Sequence, residues 1–255
     1  VSNSAAATIT VTPVNDAPVA VAVSGSGAED AASISVALSA SDIDGTIASY
    51  TISSLPANGT LYADAGLTTV VTAGATVSGA TLYFVPNANW NGSTGFNYTA
   101  TDNLGAVSNS AAATITVTPV NDAPTLDLDG STTGGGYSTT FTENGVPVRV
   151  VDSDLTISDV DSASYSGATI TLTNGQAWDV LAIGAVPSNI TVTQVGNTIT
   201  LSGNGSAVDY RAALLAITFA DTSENPSATP RTIEVSLRDN AGLASNVAVS
   251  TVSVT

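Results

Sequence analysis

Hydrophobic and polar residues alternate one by one along most of the chain. Clear examples are residues 33–39 (SISVALS), 114–118 (TITVT) and 232–238 (TIEVSLR). Alternation rich in β-branched residues is typical of strands with one buried face. Turn dipeptides such as Asp44-Gly45 and Asn91-Gly92 separate the segments. Many short strands divided by turns predict an all-β chain folded into antiparallel β-sandwiches.

One segment has a different period. Ser206 has the character of a helix N-cap, and the apolar residues Val208, Ala212 and Leu215 follow it at helical spacing. This pattern predicts a short helix or helical turn over residues 206–216.

An eighteen-residue phrase, VSNSAAATITVTPVNDAP, occurs at Val1–Pro18 and returns unchanged at Val107–Pro124. A weaker third copy closes the chain, because the Asp-Asn and Ser-Asn pairs of the second copy recur near the C-terminus. We therefore interpret each copy as the last strand of one unit followed by VNDAP, the joint to the next unit. The predicted domains are residues 14–119 and a larger one over residues 120–255. Residues 1–13 are the last strand of a preceding repeat, expected to be loose or to pair with a neighbouring sheet edge.

Composition limits the classes of function. The 255 residues carry a net charge of −17, and the only basic residues are four arginines. Nucleic-acid and anionic-membrane binding need a basic surface and are disfavoured. Cys and His are absent, which excludes disulfides, thiolate metal sites and catalytic triads. No apolar run of about 20 residues is present, so membrane insertion is not expected, and an export signal would lie outside this sequence.

The acidic residues recur in short phrases. In the first domain, VNDAP, GAED, SDIDG and ATDNLG supply a set of polar residues: Asn15, Asp16, Glu29, Asp42, Asp44 and Asp102. The second domain has the corresponding phrases VNDAP, FTENG, SDVDS and LRDNAG, which supply Asn121, Asp122, Glu143, Asp159, Asp161 and Asp239. Solvation of the surface does not require acidic residues at these places, because the many Ser, Thr and Asn residues already provide a polar surface.

Sandwich topology predicts which of these residues meet. Alternate connections lie at the same end, so the joint, the SDIDG turn and Asp102 should share one end of the first domain. Glu29 should lie at the opposite end, towards the next joint. Carboxylates gathered without Lys or Arg repel one another and call for a cation. Hard oxygen ligands without His or Cys favour Ca²⁺ over Mg²⁺, which prefers tight octahedral sites.

Two alternatives stand beside the calcium hypothesis. Asp, Asn and Gly are also ordinary turn residues that cap their own backbone. A further group of acids in the second domain has no counterpart in the first and forms either an extra ion site or solvated strand edges, with the second interpretation favoured. This group is Asp127, Asp129, Asp152 and Asp154.

Together these phrases resemble the cadherin-like and Ig-like tandem repeats of large RTX-type adhesins, which bacteria export by type I secretion. The phrases that carry the resemblance are VNDAP, AED, SDIDG, NWNGSTGFNYTATDNLGAVSN and TENG…SDVDS…TIEVSLRDNAG. The resemblance implies sandwiches joined end to end, with Ca²⁺ at each junction, on a Gram-negative cell surface. It also implies a monomer whose partners are neighbouring repeats of the same chain, with host or microbial ligands bound through other domains.

The resemblance assigns ligands to each junction. The second junction would use Glu29, Asn121, Asp122, Asp159, Asp161 and Asp239. The first would use Asn15, Asp16, Asp42, Asp44 and Asp102, without the preceding domain's Glu, and Glu143 would serve a junction beyond Thr255. Animal cadherins have an extra linker acid and an Asp-Arg-Glu motif that this chain lacks, so one or two ions per junction are expected rather than three.

Three classes of function compete for this sequence. The first is a structural extender that Ca²⁺ stiffens, supporting adhesion and biofilm formation. The second is a ligand-binding adhesin module in the second domain, for which Trp178 and the Gly134–Gly136 loop are candidates, although a lone Trp beside Val180 and Leu181 is expected in the core. An enzyme is disfavoured, because the acids cluster at domain ends without an aromatic cleft.

Overall fold

A computed structural model describes the whole chain, Val1 to Thr255, and divides it into two compact units. The first unit is Val1–Val120 and the second is Asn121–Thr255. Each is a β-sandwich, which confirms the predicted all-β fold. Residues 1–18 contain no regular secondary structure, and most of their side chains are exposed.

The first unit contains ten strands. They are β1 (Val19–Val21), β2 (Val23–Ala28), β3 (Ile34–Ala37), β4 (Ser39–Ser41), β5 (Ile47–Ile52), β6 (Gly59–Tyr62), β7 (Thr76–Val77), β8 (Thr81–Pro86), β9 (Gly92–Asp102) and β10 (Ala111–Thr118). The larger sheet has the order β2-β10-β9-β5-β7, the smaller one β3-β8-β6, and β1 pairs with β4. The inward residues of all three sheets form one core, with Val36, Phe84 and Ile115 fully buried.

The second unit contains eleven strands and one helix. They are β11 (Thr125–Asp127), β12 (Tyr137–Phe141), β13 (Val148–Arg149), β14 (Thr156–Ser158), β15 (Ser164–Leu172), β16 (Asp179–Ile183), β17 (Thr191–Val195), β18 (Thr198–Ser206), α1 (Ala207–Leu215), β19 (Ile217–Asp221), β20 (Arg231–Asp239) and β21 (Ala248–Val254). The sheets are β12-β21-β20-β15-β18-β17, β13-β19-β16 and β11-β14.

The two units place their last strands alike. In the first, β10 runs parallel to β2 and antiparallel to β9. In the second, β21 runs parallel to β12 and antiparallel to β20. In each unit the penultimate strand therefore ends at a turn that leads into the last strand, its antiparallel neighbour. Asp102 is the final residue of β9, and Asp239 is the final residue of β20.

The predicted helix is confirmed, and the residues that it buries are not the three whose spacing indicated it. Ser206 caps α1 through a capping box with Asp209, as its N-cap character indicated. The buried residues are Tyr210, Ala213 and Leu214, whereas Val208 is exposed. The helix turns its aromatic residue inward, since the Tyr210 hydroxyl donates a hydrogen bond to Gly203 O at 2.6 Å. No helix of this chain has the length and apolar character needed to cross a membrane.

Arg231 is a buried cation in the core of the second unit. Its Nε lies 2.6 Å from Asp179 Oδ2 and its Nη2 lies 3.2 Å from Asp221 Oδ2, and all three side chains are almost completely buried. Its Nη1 donates to the carbonyl of Ser227 at 3.0 Å and also to that of Thr229. The guanidinium group therefore ties the ends of β16, β19 and β20 to the loop that precedes β20.

Replacing Arg231 by methionine should destabilise the second unit strongly, because two buried carboxylates would lose their cation. Breaking a buried ion pair on one side costs about 3–5 kcal/mol. Urea unfolding, followed by NMR amide signals of the second unit, measures the effect. Arg238→Met, on an exposed side chain of the same strand, is the matched control and should change stability by about 0.5 kcal/mol or less. Equal stability of the two variants would contradict this role for Arg231.

Candidate metal centre

An asparagine of the joint in the first unit contacts the buried carboxylate that ends β9. Asn15 Nδ2 donates a hydrogen bond to Asp102 Oδ2 at 2.7 Å, and Asp102 is 2% exposed. Asp102 Oδ1 accepts hydrogen bonds from the backbone N–H groups of Leu104 and Ala106 at 2.9 and 2.8 Å. The turn after β9 therefore fixes this carboxylate, which in turn fixes the joint.

The SDIDG turn meets the same joint. Asp16 N–H donates to the Asp44 carboxylate, at 3.2 Å to Oδ2 and 3.4 Å to Oδ1. Asp42 Oδ1 accepts hydrogen bonds from the N–H groups of Asp44 and Gly45 at 3.1 and 3.0 Å. The structure thus brings together the five residues that topology placed at one end of this unit. We call them the first acidic cluster: Asn15, Asp16, Asp42, Asp44 and Asp102.

The second unit repeats these contacts. Asn121 Nδ2 donates to Asp239 Oδ2 at 2.6 Å, and Asp239 Oδ1 accepts from the N–H groups of Gly242 and Leu243. Asp122 N–H donates to Asp161 Oδ2 at 3.0 Å. The second acidic cluster is Asn121, Asp122, Asp159, Asp161 and Asp239.

The SDVDS turn completes the match. Asp159 Oδ1 accepts hydrogen bonds from the N–H groups of Asp161 and Ser162 at 3.2 and 3.1 Å. Asp42 Oδ1 accepts the equivalent two bonds in the first unit, from the residues two and three positions further along the chain. The same Asp-X-Asp turn is therefore built twice, in units whose remaining sequences differ.

Both clusters contain buried oxygen atoms without a hydrogen-bond partner. These atoms are Asn15 Oδ1 and Asp42 Oδ2 in the first cluster and Asp159 Oδ2 in the second. Buried polar atoms are usually paired, so each unpaired one calls for an explanation. Protein cations do not supply it, because the only two salt bridges in the chain join Arg231 to Asp179 and Asp221.

Hydrogen bonding lowers the pKa of the two aspartates at the strand ends. For Asp102 the largest cause is the hydrogen bond from Asn15, and the backbone N–H groups of the turn add to it. For Asp239, burial acts to raise the pKa, but the hydrogen bonds from Asn121 and three backbone N–H groups together outweigh it. Stability from a lowered carboxyl pKa is present above the unfolded pKa and is lost as pH falls through the folded pKa. Both carboxylates therefore favour the folded units except in acid.

Asp159 behaves in the opposite way. Burial raises its pKa, and the neighbouring Asp161 carboxylate raises it further, although backbone hydrogen bonds lower it. Its negative charge is therefore opposed by its surroundings. A bound cation would relieve this opposition, since an opposite charge favours the ionised carboxylate.

Glu29 and Glu143 lie outside the two clusters. Glu29 is 5% exposed, and its carboxylate accepts hydrogen bonds from Val120 N–H at 2.7 Å and from Asn91 Nδ2 at 3.3 Å. Glu143 begins a turn after β12, where its N–H donates to the carbonyl of Thr255 at 2.7 Å. Glu29 N–H likewise donates to Thr118 O, at the end of β10. Each glutamate thus follows the second strand of its unit and lies beside the end of the last strand.

A third group of acids lies in the second unit, in the loops around residues 129 and 152–154. The carboxylate oxygens of Asp129, Asp152 and Asp154 all lie within 4.8 Å of one another, and this is the one set of three in the chain that does so. Asp127 is beside it, with its Oδ1 accepting a hydrogen bond from Asp129 N–H at 3.0 Å. The sequence left an extra ion site open for this group but favoured solvated strand edges, because the two loops are more than twenty residues apart.

Trp178 is a residue whose position the sequence pattern predicted wrongly. Its side chain is 66% exposed rather than in the core, and its backbone has a φ of 78°. Its carbonyl accepts hydrogen bonds from the N–H and hydroxyl of Thr222, which hold the turn before β16. The alternation of this segment places Leu181 inward instead.

The chain is similar to several known proteins. Residues 15–118 match the family model described as bacterial Ig domain. The first unit is similar to a bacterial Ig-like repeat. Among solved structures, Drosophila N-cadherin EC1-3 is 12% identical, with 94% of this chain and 68% of that chain covered and a TM-score of 0.28. The D00-D0 domain of intimin is 12% identical, with 85% and 90% covered and a TM-score of 0.27. No curated relative matches the sequence.

Replacing Asn15 by alanine should raise the pKa of Asp102, because the largest cause of its lowering is removed. Carboxyl ¹³C chemical shifts followed through an acid titration measure this pKa directly. Asn87→Ala, on an exposed loop of the same unit, is the control and should leave the Asp102 titration in place. An Asp102 pKa that is the same in wild type and Asn15→Ala would contradict the assigned cause.

Proposed function

We propose that this chain is a structural segment of a bacterial surface adhesin and that its two acidic clusters bind Ca²⁺. The observation that carries the proposal is the duplication of one set of contacts. Joint, Asp-X-Asp turn and strand-end aspartate are connected by equivalent hydrogen bonds in both units. Turn capping alone explains the hydrogen bonds within an Asp-X-Asp turn. It does not explain why the joint and the strand-end aspartate are connected to that turn in both units.

The chemistry of the clusters fits Ca²⁺. Carboxylate and amide oxygens are the ligands that Ca²⁺ takes, at six to eight per ion and with flexible geometry. The buried Asn15 Oδ1, Asp42 Oδ2 and Asp159 Oδ2 are free of hydrogen bonds and hence available as ligands. An ion would supply the positive charge that no Lys or Arg provides there. Mg²⁺ fits less well, since it prefers a near-ideal octahedron and keeps several waters.

The proposed role of the ion is mechanical. Asn15 and Asp16, and likewise Asn121 and Asp122, belong to the joints that precede each unit, so an ion bound by joint and unit together limits the motion of the joint. Glu29 is the proposed further ligand for the second ion. Its carboxylate binds the N–H of Val120, the residue immediately before Asn121. This assignment rests on the resemblance to adhesin repeats.

The cellular setting completes the proposal. A bacterial Ig-like repeat without a membrane-spanning helix is consistent with a protein exposed outside the cell. We place the chain on a Gram-negative surface within an RTX-type adhesin, where stiffened repeats hold a distal binding domain away from the cell and support biofilm formation. Its partners are then neighbouring repeats. No catalytic step is part of this function.

A second candidate function is a ligand-binding role for the second unit, and the exposure of Trp178 favours it. An exposed indole next to the partly exposed Val180 offers an apolar surface on which a sugar ring or peptide can pack. Retention of the second unit on a glycan or peptide array, lost in Trp178→Ala, would support this function over the extender.

Calcium titration calorimetry should detect binding to the wild-type chain. The double variant Asp159→Asn, Asp161→Asn should bind at least one ion fewer, because it removes two negative charges from the second acidic cluster while preserving side-chain volume. Extracellular calcium modules have dissociation constants of about 10⁻⁴–10⁻³ M, which sets the concentration range. Saturating Ca²⁺ at about 100 times the dissociation constant should stabilise the fold by about 2.7 kcal/mol.

Two controls accompany this titration. Asp64→Asn alters a carboxylate that caps its own turn through Thr68 and Thr69, so it should keep the full stoichiometry. The variant Asp152→Asn shows how much of the binding heat comes from the third group of acids, Asp129, Asp152 and Asp154. If the double variant Asp159→Asn, Asp161→Asn binds as many ions as wild type, the assignment of these two residues as ligands is wrong.

X-ray scattering should show a more extended and narrower distribution of sizes in Ca²⁺ than in chelator, because bound ions restrict the joint. The double variant Asp159→Asn, Asp161→Asn should respond less than wild type at the same calcium concentration. If chelator changes neither the maximum dimension nor the melting temperature of the wild-type chain, the extender function is wrong.

A further inference from the structure

An asparagine in the loop before β9 lies beside the buried carboxylate of Glu29. Asn91 Nδ2 is 3.3 Å from Glu29 Oε2, and Glu29 is 5% exposed. The other carboxylate oxygen, Oε1, accepts a hydrogen bond from Val120 N–H at 2.7 Å. Neither salt bridge of the chain involves Glu29, because both are formed by Arg231. This carboxylate is therefore held by two uncharged donors, although a buried charge without a cation is costly.

The Asn91 side chain can serve Glu29 in two ways. A primary amide carries two N–H donors and one carbonyl oxygen on the same planar group. At 3.3 Å, the bond from Nδ2 is longer than the usual N–H···O distance of about 2.9–3.0 Å. The side chain is exposed, and this is its one hydrogen bond. Rotation of the amide exchanges Nδ2 for Oδ1, which turns a donor to the carboxylate into an oxygen ligand beside it.

The backbone on either side of Asn91 is fixed. Trp90 is half-buried and packs against the core of the first unit, and its N–H donates to Asn87 O at 3.1 Å. Gly92 has a φ of 138°, and a Cβ placed on it would lie 3.3 Å from the Trp90 ring. Gly92 is also the first residue of β9 and pairs with Val117 of β10. Asn91 is thus anchored at the end of the sheet, while its amide is free to turn.

We infer that Asn91 is a further ligand of the ion for which Glu29 is the proposed ligand, and that it contributes Oδ1 beside the carboxylate. This inference rests on the proposed function. Ca²⁺ takes about six to eight oxygens, and amide carbonyls are found among them together with carboxylates. An ion at this place supplies the positive charge that Glu29 lacks. The two residues are 62 positions apart in the chain, so only the fold brings them together.

A variant that adds a charge separates a ligand from a simple cap of Glu29. Calcium affinity depends on the number of charged ligands, so Asn91→Asp should bind the ion at least about threefold more tightly than wild type. Asn91→Ala loses a ligand and should bind it about tenfold more weakly. If Asn91 only donates a hydrogen bond to Glu29, both variants lose that donor and neither gains affinity.

The amide signal of Val120 reports on this site, because its N–H is bonded to Glu29 Oε1. Its chemical shift, followed by NMR while CaCl₂ is added to the full chain, gives the dissociation constant for each variant. Asn87→Asp is the matched control, since it adds the same charge to an exposed position of the same loop. It should change the dissociation constant by less than about twofold, because salt screens exposed charges.

The melting temperature gives a second readout. In chelator, Asn91→Asp should melt below wild type, because two carboxylates then lie together without the amide donor. In saturating Ca²⁺ it should melt at or above wild type. A merely structural cap would instead lower the melting temperature in both conditions.

The outcomes separate this inference from the proposed function. If Ca²⁺ moves the Val120 signal equally in wild type, Asn91→Ala and Asn91→Asp, Asn91 is not a ligand and the calcium function stands. Weaker binding by Asn91→Asp would also overturn the inference. If other amide signals respond but Val120 does not, neither Glu29 nor Asn91 is a ligand. If no amide signal of the wild-type chain responds to Ca²⁺, the proposed function itself is wrong.

Discussion

A single hydrogen bond, made once in each unit, connects the joint to the buried carboxylate of its acidic cluster. The joint asparagine donates to the aspartate that ends the strand before the last, as Asn15 to Asp102 and as Asn121 to Asp239. That aspartate is almost completely buried in both units and is fixed from behind by the N–H groups of its own turn. The joint is thereby held beside the Asp-X-Asp turn, where carboxylates gather without a cation from the protein.

The sequence allowed much of this arrangement to be predicted, because two simple constraints act on it. Alternation determined the strands, since one face of each must be buried. The repeated phrase then predicted the ends of the units, and sandwich topology put alternate turns at the same end. Asn15, Asp42 and Asp102 could therefore be expected together although they are far apart along the chain.

What could not be predicted depends on packing between distant segments. The spacing of Val208 indicated a helix but not which side chains it buries: the larger Tyr210 lies in the core, and Val208 is exposed. Trp178 was expected inside and lies at the surface, in a turn where its backbone has a positive φ. The grouping of Asp129 with Asp152 and Asp154 arises from two loops whose meeting no local pattern encodes.

Binding of Ca²⁺ by the two acidic clusters is tested most directly by a structure of crystals grown in the presence of Ca²⁺. Data collected at long wavelength would locate calcium by its anomalous scattering. Anomalous peaks are expected within ligand distance, about 2.3–2.6 Å, of Asp42 Oδ2 and Asp159 Oδ2. Crystals grown in saturating Ca²⁺ with no anomalous peak at either cluster would contradict it.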